Sequence, residues 1–139
     1  MKDYSKKNWN TDDLRIIKSF YRLGIHFNHY KKHMDWAAFN GHLEIIKWLH
    51  ENRKEGCTTH AMDWAAYEGH IEILKWLHYN RKEGCTTWAM DNAAINGHLE
   101  VIKWLYENRK EGCTKLAIKY ATEYSHLEVV KWLKENMKN

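Results

Sequence analysis

Apolar positions between residues 70 and 83 follow helical spacing. Ile73, Leu74 and Leu77 fall on one stripe with Trp76 beside it, while Glu72 and Lys75 stand three apart on the polar side. That pattern predicts an amphipathic helix from about His70 to Glu83, its stripe against a core and an i,i+3 ion pair in water. A shorter helix is expected upstream, near Ala61 to Glu68, where Ala61, Ala65 and Ala66 allow close packing. Gly69 lies between the two, and glycine is the usual residue for the left-handed turn that closes a helix. Gly84 is expected to end the second helix, and Thr86 or Thr87 to cap the next short one.

The hairpin is one copy of a repeat. Residues 62–89 read MDWAAYEGHIEILKWLHYNRKEGCTTWA; the same wording starts at Met34 and Met90, each 28 residues away, and a looser copy starts at Ile118. Self-similarity at a fixed period of this length predicts a solenoid. An eight-residue helix is unstable alone, so the units must stack to complete their core. Ala37, Ala38, Ala89, Ala93 and Ala94 repeat the small-residue arrangement. Residues 1–10 read as a frayed end. Thr11-Asp12-Asp13 then starts a helix in which Leu14, Ile16, Ile17, Phe20, Tyr21 and Leu23 are helically spaced. Leu14–Lys18 parallels Leu43–Lys47, so 11–29 is expected to be an N-terminal capping helix, with Gly24–His29 as its end and connection. Repeats follow at 30–57, 58–85 and 86–113. Residues 114–139 form a C-terminal capping repeat, where Lys119, Thr122, Ser125 and the tail residues Lys134, Glu135 and Lys138 give the polar outer face a cap needs. The expectation is one all-α solenoid domain over residues 1–139.

Composition adds limits. With 44% hydrophobic and 29% charged residues in 139, the chain can fold around a real core. There is no proline and only seven glycines, so no long flexible linker is expected. No apolar run reaches membrane-spanning length, and the first residues lack the apolar stretch of a signal peptide, which places the protein in the cytoplasm. A net charge of +4 is too small to name a partner. Cys57, Cys85 and Cys113 recur at the repeat spacing. Stacked helices are about 10 Å apart, whereas a disulfide needs Cα atoms within about 7 Å and zinc needs ligands around one point. The cysteines therefore read as buried packing residues of a reducing compartment.

The string A-A-x-x-G-H-x-E followed by aliphatic residues runs from Ala65 to Glu72. It recurs at Ala37–Glu44 and Ala93–Glu100, and loosely at Ala121–Glu128. It resembles the middle of an ankyrin repeat, and the resemblance covers about residues 30–137. The T-P-L-H signature of that family falls on His60-Ala61-Met62-Asp63 and Trp88-Ala89-Met90-Asp91, which depart from it, and the period is short of the usual 33 or so. The missing residues lie where such repeats project a β-hairpin. Here Asn-Arg-Lys-Glu-Gly-Cys-Thr stands unchanged at 52–58, 80–86 and 108–114, so β-fingers are expected to be reduced or absent. Short, divergent repeats of this kind resemble those abundant in giant DNA viruses of amoebae and in some protists, which implies a viral origin and the host-cell cytoplasm. The resemblance further implies a protein-binding scaffold whose partner lies on the concave face of the first helices.

The copies also differ in a patterned way. Between 60–87 and 88–115, leaving out the final position, Ile71/Leu99, Ile73/Val101 and Leu74/Ile102 are apolar swaps that a core tolerates. His78/Tyr106 and Tyr79/Glu107 fall on the outer part of the second helix. The other four, His60/Trp88, Trp64/Asn92, Tyr67/Ile95 and Glu68/Asn96, occupy one arc of roughly 100° on the first helix. Ala61, Met62, Ala65 and Ala66 hold another arc. Lys32, Trp36, Phe39 and Asn40 take the diverged arc in the first copy, and Leu116, Tyr120, Glu123 and Tyr124 in the last. Trp, Tyr and Phe dominate this row, as they dominate interface cores. Drift after duplication is the competing account, but drift would also have changed the exposed loops, which are identical.

Rows of like residues are poor catalysts, because catalysis needs dissimilar groups converging on a point. His42, His70, His98 and His126 are expected to hydrogen-bond across the helix junction or to a neighbouring repeat. Asp35, Asp63 and Asp91 suggest helix-start electrostatics or a bond to neighbouring backbone. His29 and His33, with His26 nearby, form a minimal metal pair without a third ligand; a basic patch with Lys31 and Lys32 is the simpler reading. Arg53, Arg81 and Arg109, with Lys54, Lys82 and Lys110, would form a basic ridge able to meet phosphates, although Glu55, Glu83 and Glu111 halve its field. The sequence thus reads as a monomeric, non-catalytic protein-binding scaffold with no metal or cofactor. A nucleic-acid-binding module using the ridge is the alternative. An enzyme, or an adaptor feeding a host protein to a larger machine, are lesser readings.

Overall fold

The computed structural model describes residues 14, 15, 18, 19, 22 and 31–137. The first five are helical, Leu14 lies against the core, and Ser19 Oγ donates to the Arg15 carbonyl at 2.9 Å. The expected helix start at Thr11-Asp12-Asp13 and the connection at Gly24–His29 lie outside the described residues.

Eight helices follow, with no strand among the described residues: α1 Lys31–Asn40, α2 Leu43–Asn52, α3 Thr59–Glu68, α4 Ile71–Asn80, α5 Thr87–Ile95, α6 Leu99–Asn108, α7 Lys115–Glu123 and α8 Leu127–Asn136. Helices α3, α5 and α7 start on Thr58, Thr86 and Thr114. Each of these threonines is extended, and its hydroxyl accepts from the N–H of His60, Trp88 or Leu116 at 3.1 Å. Such a cap satisfies one of the donors left over at a helix N-terminus. The short helix therefore begins two residues earlier than the alanine pattern suggests, and Thr86, not Thr87, is the cap. Its far end closes through Gly69 at φ 77°, with the His70 N–H reaching the Ala65 carbonyl at 2.8 Å.

The second helices stop sooner than their apolar pattern implies. The expected end at Glu83, with Gly84 as terminator, is incorrect: α4 ends at Asn80. Asn80 Nδ2 donates to the Trp76 carbonyl at 2.8 Å, and Arg81 is already extended (φ −122°, ψ 158°). Arg81 then turns to Glu83, an interaction that a continuing helix would forbid. The Glu72–Lys75 pair does face water, with 3.9 Å between its charged atoms.

Helices α1, α3, α5 and α7 lie side by side in one layer, and each even-numbered helix packs on its own partner. Alanine makes the first layer tight: Ala37, Ala38, Ala61, Ala65, Ala66, Ala93, Ala94, Ala117 and Ala121 are fully buried. The even layer contributes Ile45, Ile46, Leu49, Ile73, Leu74, Leu77, Val101, Ile102, Leu105, Val129 and Leu133, with Trp48, Trp76, Trp104 and Trp132 half-buried on its flank. Together these form one continuous core along the stack. The small alanine side chains let the first helices lie close together, and they contact one another along the stack.

Candidate functional site

The diverged positions of the first helices form one strip across the repeats. Phe39 meets Trp64 edge-on at 6.0 Å and stacks on Tyr67 at 6.4 Å, so α1 and α3 touch through aromatic rings. His60 lies 5.1 Å from Trp64, Trp36 stacks on His42 at 6.0 Å, and Asn96 Nδ2 donates to the Tyr67 carbonyl at 2.7 Å. Trp36, Phe39, Asn40, Trp64, Tyr67, Glu68, Asn92, Ile95 and Tyr120 are half-buried; His60, Trp88, Asn96, Leu116, Glu123 and Tyr124 are exposed. Trp88 stands out at 60% exposure and Tyr124 at 59%. Lys32 lies on α1, but its side chain is outside the described part.

Behind the strip, each repeat is pinned to the next by a buried carboxylate. Asp63 accepts the Thr86 N–H on Oδ1 at 2.9 Å and the Thr86 hydroxyl on Oδ2 at 2.7 Å; Asp35–Thr58 and Asp91–Thr114 are the same. These aspartates are mid-helix and nearly inaccessible. They do not serve the start of their own helix; of the two expectations, the bond to neighbouring backbone is the one found, on the Thr58, Thr86 and Thr114 N–H groups that begin the next helix. Burial pushes the Asp35 and Asp63 carboxyls up, and the threonine bonds offset part of that.

The junction histidines also reach across repeats. His70 Nε2 meets the Phe39 carbonyl at 3.1 Å and His126 Nε2 the Ile95 carbonyl at 2.9 Å, while His98 is held on the Tyr67 carbonyl. Burial pulls His98 below the ordinary histidine value, partly countered by that bond. Burial also lowers His33. The proposed pairing of His33 with His26 and His29 lies outside the described residues. Among those described, no three His, Cys, Asp or Glu side chains converge as metal ligands. A depression lined by Cys85, Met90, Leu105 and Arg109 has no interior space for even a water molecule.

The loop arginines are paired inside their own turns. Arg81 Nε and Nη2 donate to the two carboxylate oxygens of Glu83 at 2.7 and 2.9 Å, and Arg53–Glu55 and Arg109–Glu111 make the same fork. The Arg53 hydrogen bond holds Glu55 below its usual range. Partial burial pushes Glu83 and Glu111 up, but the arginine contacts together outweigh it. The ridge is therefore a row of ion pairs with Lys54, Lys82 and Lys110 as its exposed cations, which leaves the phosphate-binding alternative without support. The cysteines sit behind these pairs, with no disulfide: Cys57 and Cys85 are buried and Cys113 half-buried. Burial, reinforced by Glu83 and Glu111, pushes the Cys57 and Cys85 thiols up to about 12, and burial beside Asp91 puts Cys113 at about 11. At pH 8 the native protein is expected to react with a thiol-disulfide reagent roughly a thousandfold slower than a free cysteine, Cys113 first. Rapid release of chromophore from Cys57 or Cys85 would contradict this.

A family model described as Ankyrin repeats (many copies) matches residues 34–78, and one described as Ankyrin repeats (3 copies) matches 62–139. The chain belongs to the ankyrin-repeat family. No curated protein matches it. Ankyrin repeats are generally protein–protein interaction modules, and the family is typically non-catalytic. No helix among the described residues is long and apolar enough to cross a membrane.

The ankyrin array carries a second set of exposed apolar residues that the sequence reading did not single out. Tyr79 and Leu127 are 71% and 72% exposed, and Tyr106 is also exposed, all on second helices. Nor did it find that His50 and His78 meet arginines of the following repeat. The partners are 31 positions apart, so inspection of one copy cannot pair them; comparing positions 50, 78 and 106 with 81, 109 and 137 would have.

Proposed function

We propose that this ankyrin array is a non-catalytic scaffold that binds a protein partner along the first-helix strip from Trp36 to Tyr124. The observation that carries this is Trp88, a large aromatic side chain left 60% exposed on the first-helix strip. Exposed tryptophan on a rigid helical face is the residue type that supplies binding energy when a partner desolvates it. Supporting it, this is the arc on which the copies diverge, while the Asp–Thr pins and the loops are repeated without change. The first helices lie side by side in one layer, so a partner laid across it can touch several repeats at once. Three unpaired cysteines suit a reducing cytoplasm, and we take the module to act there as a monomer.

The test compares proteins captured from a cell lysate by the wild-type chain, by Trp88→Ala, and by Tyr79→Ala on the other layer. Trp88→Ala is expected to leave unfolding unchanged within about 0.5 kcal/mol, since the ring is mostly in water. It should weaken capture by about 2 kcal/mol, or some thirtyfold. Tyr79→Ala should retain capture. If Trp88→Ala retains it and Tyr79→Ala loses it, the binding face is the second-helix layer and this assignment is wrong.

A further inference from the structure

The second-helix layer contains a contact repeated at two interfaces and absent from the third. His50 Nδ1 accepts from Arg81 Nη1 at 3.2 Å, and His78 Nδ1 from Arg109 Nη1 at 3.3 Å. Arginine can only donate, so the facing ring nitrogen must carry a lone pair and the imidazole must be neutral. Each histidine also stands edge-on to the tryptophan of the next repeat: His50 on Trp76 and His78 on Trp104, both at 5.1 Å. Each ring therefore joins two repeats, through a guanidinium that never deprotonates.

At the third interface both partners change together. Tyr106 stands where the histidine was and keeps the edge-on contact with Trp132 at 5.2 Å. Met137 stands where the arginine was. The seat changes as well. A Cβ built on Gly84 would lie 2.6 Å from Arg109 Nη2, whereas at Gly112 the nearest neighbour is Met137 Cε at 3.8 Å. At these three interfaces, histidine and arginine are present as a pair or absent as a pair.

We propose that His78–Arg109 is an acid-sensitive latch, so that mild acid loosens the α4–α6 interface and spares α6–α8. Protonation puts a second N–H against the guanidinium and sets two cations about 3 Å apart. The charged groups facing His78 are Arg109, which opposes its protonation, and Glu111, which favours it but is already committed to Arg109. From its own helix the Tyr79 ring lies 4.9 Å away, and from α6 the Trp104 ring. Burial, then the Arg109 charge, holds His78 below the ordinary histidine value. A lowered histidine value stabilises the fold above the unfolded value of about 6.5, and that stability is lost as pH falls below it. The latch does not depend on what occupies the first-helix face.

The test transplants the third interface into the second. Urea unfolding is measured at pH 7.5 and 5.5 for the wild type and for His78→Tyr/Arg109→Met. The wild-type midpoint is expected to drop on acidification and the variant's to drop less, the remainder coming from His33 and His98. An equal drop overturns the proposal. Should the variant fail to fold, an NMR titration of the His78 ring in the wild type decides: a midpoint below that of a free histidine, moving up in Arg109→Gln, is expected. A midpoint at or above the free value overturns it.

Discussion

Asp63→Ala is expected to lower the stability of the array by about 2–4 kcal/mol, and Asp63→Asn by about half as much. The carboxylate is 3% exposed and accepts two bonds from one residue of the next repeat. Hydrogen bonds to a charged group contribute about 1.5–3 kcal/mol each, and a buried donor left without a partner costs about 1–3. Relief from burying the charge returns part of that sum. Asparagine restores one acceptor, for the Thr86 N–H. Its amide nitrogen then faces Thr86 Oγ1, which already accepts from the Trp88 N–H at 3.1 Å, and the hydroxyl proton loses its acceptor. Lys119→Asp provides the contrast. It restores the aspartate in the last copy, where the Lys119 side chain is exposed and sits 4.0 Å from Glu123. No threonine cap of a following repeat is present among the described residues to receive it, so a change within about 0.5 kcal/mol is expected. Urea midpoints measure all three. Because a solenoid's stability is the sum of units and interfaces, Asp63→Ala should also broaden the transition, as the halves on either side of the broken pin begin to unfold separately. A sharp transition at the wild-type midpoint would mean the pin contributes nothing.

How far the sequence revealed this architecture depends on the range of the interaction. The 28-residue period and the alanine and aliphatic stripes are properties of one helix and its neighbours in sequence, and they led to the two layers and to the family. The junction turn at Gly69 was legible for the same reason. The end of α4 was not, because Leu77 and the residues after it continue a helical pattern. What stops the helix is the Arg81–Glu83 fork and the Asn80 side chain bonded back to Trp76. The row of aspartates was visible, and a bond to neighbouring backbone was one of its two readings, but the partner was not: a carboxylate at position 63 is matched by a threonine 23 residues on, in a different hairpin. The diverged strip could be assigned to one arc of the first helix from spacing alone. Its ring-to-ring contacts, such as Phe39 on Trp64 and Tyr67, depend on how adjacent repeats register, and one copy cannot contain that.

Gly69→Ala is the second large effect, at about 2–4 kcal/mol of destabilisation, and it shows why the junction glycine is under two constraints. The first is local. Gly69 holds φ 77° to close α3, a conformation costing an L-residue about 1–2 kcal/mol. The second comes from the neighbouring repeat. A Cβ at this position would lie 2.7 Å from His98 Cε1 and 2.8 Å from its Nδ1. The imidazole must therefore shift, at the expense of its bond to the Tyr67 carbonyl, worth about 1 kcal/mol. Position 125 separates the two terms. Ser125 keeps the left-handed turn, at φ 60°, and the same His126 N–H bond to the Ala121 carbonyl at 2.8 Å. A serine stands there in the one copy with no further junction histidine following it in the chain. Ser125→Gly should then recover only the local term, a gain of about 0.5–1 kcal/mol after the added chain entropy of glycine. Gly69→Ala in a His98→Ala background should likewise shrink toward the local cost, because the clash has been removed in advance. If Gly69→Ala costs the same with and without the His98 ring, the glycine answers to its own turn alone, and the packing of each histidine on the preceding repeat has no part in holding the stack together.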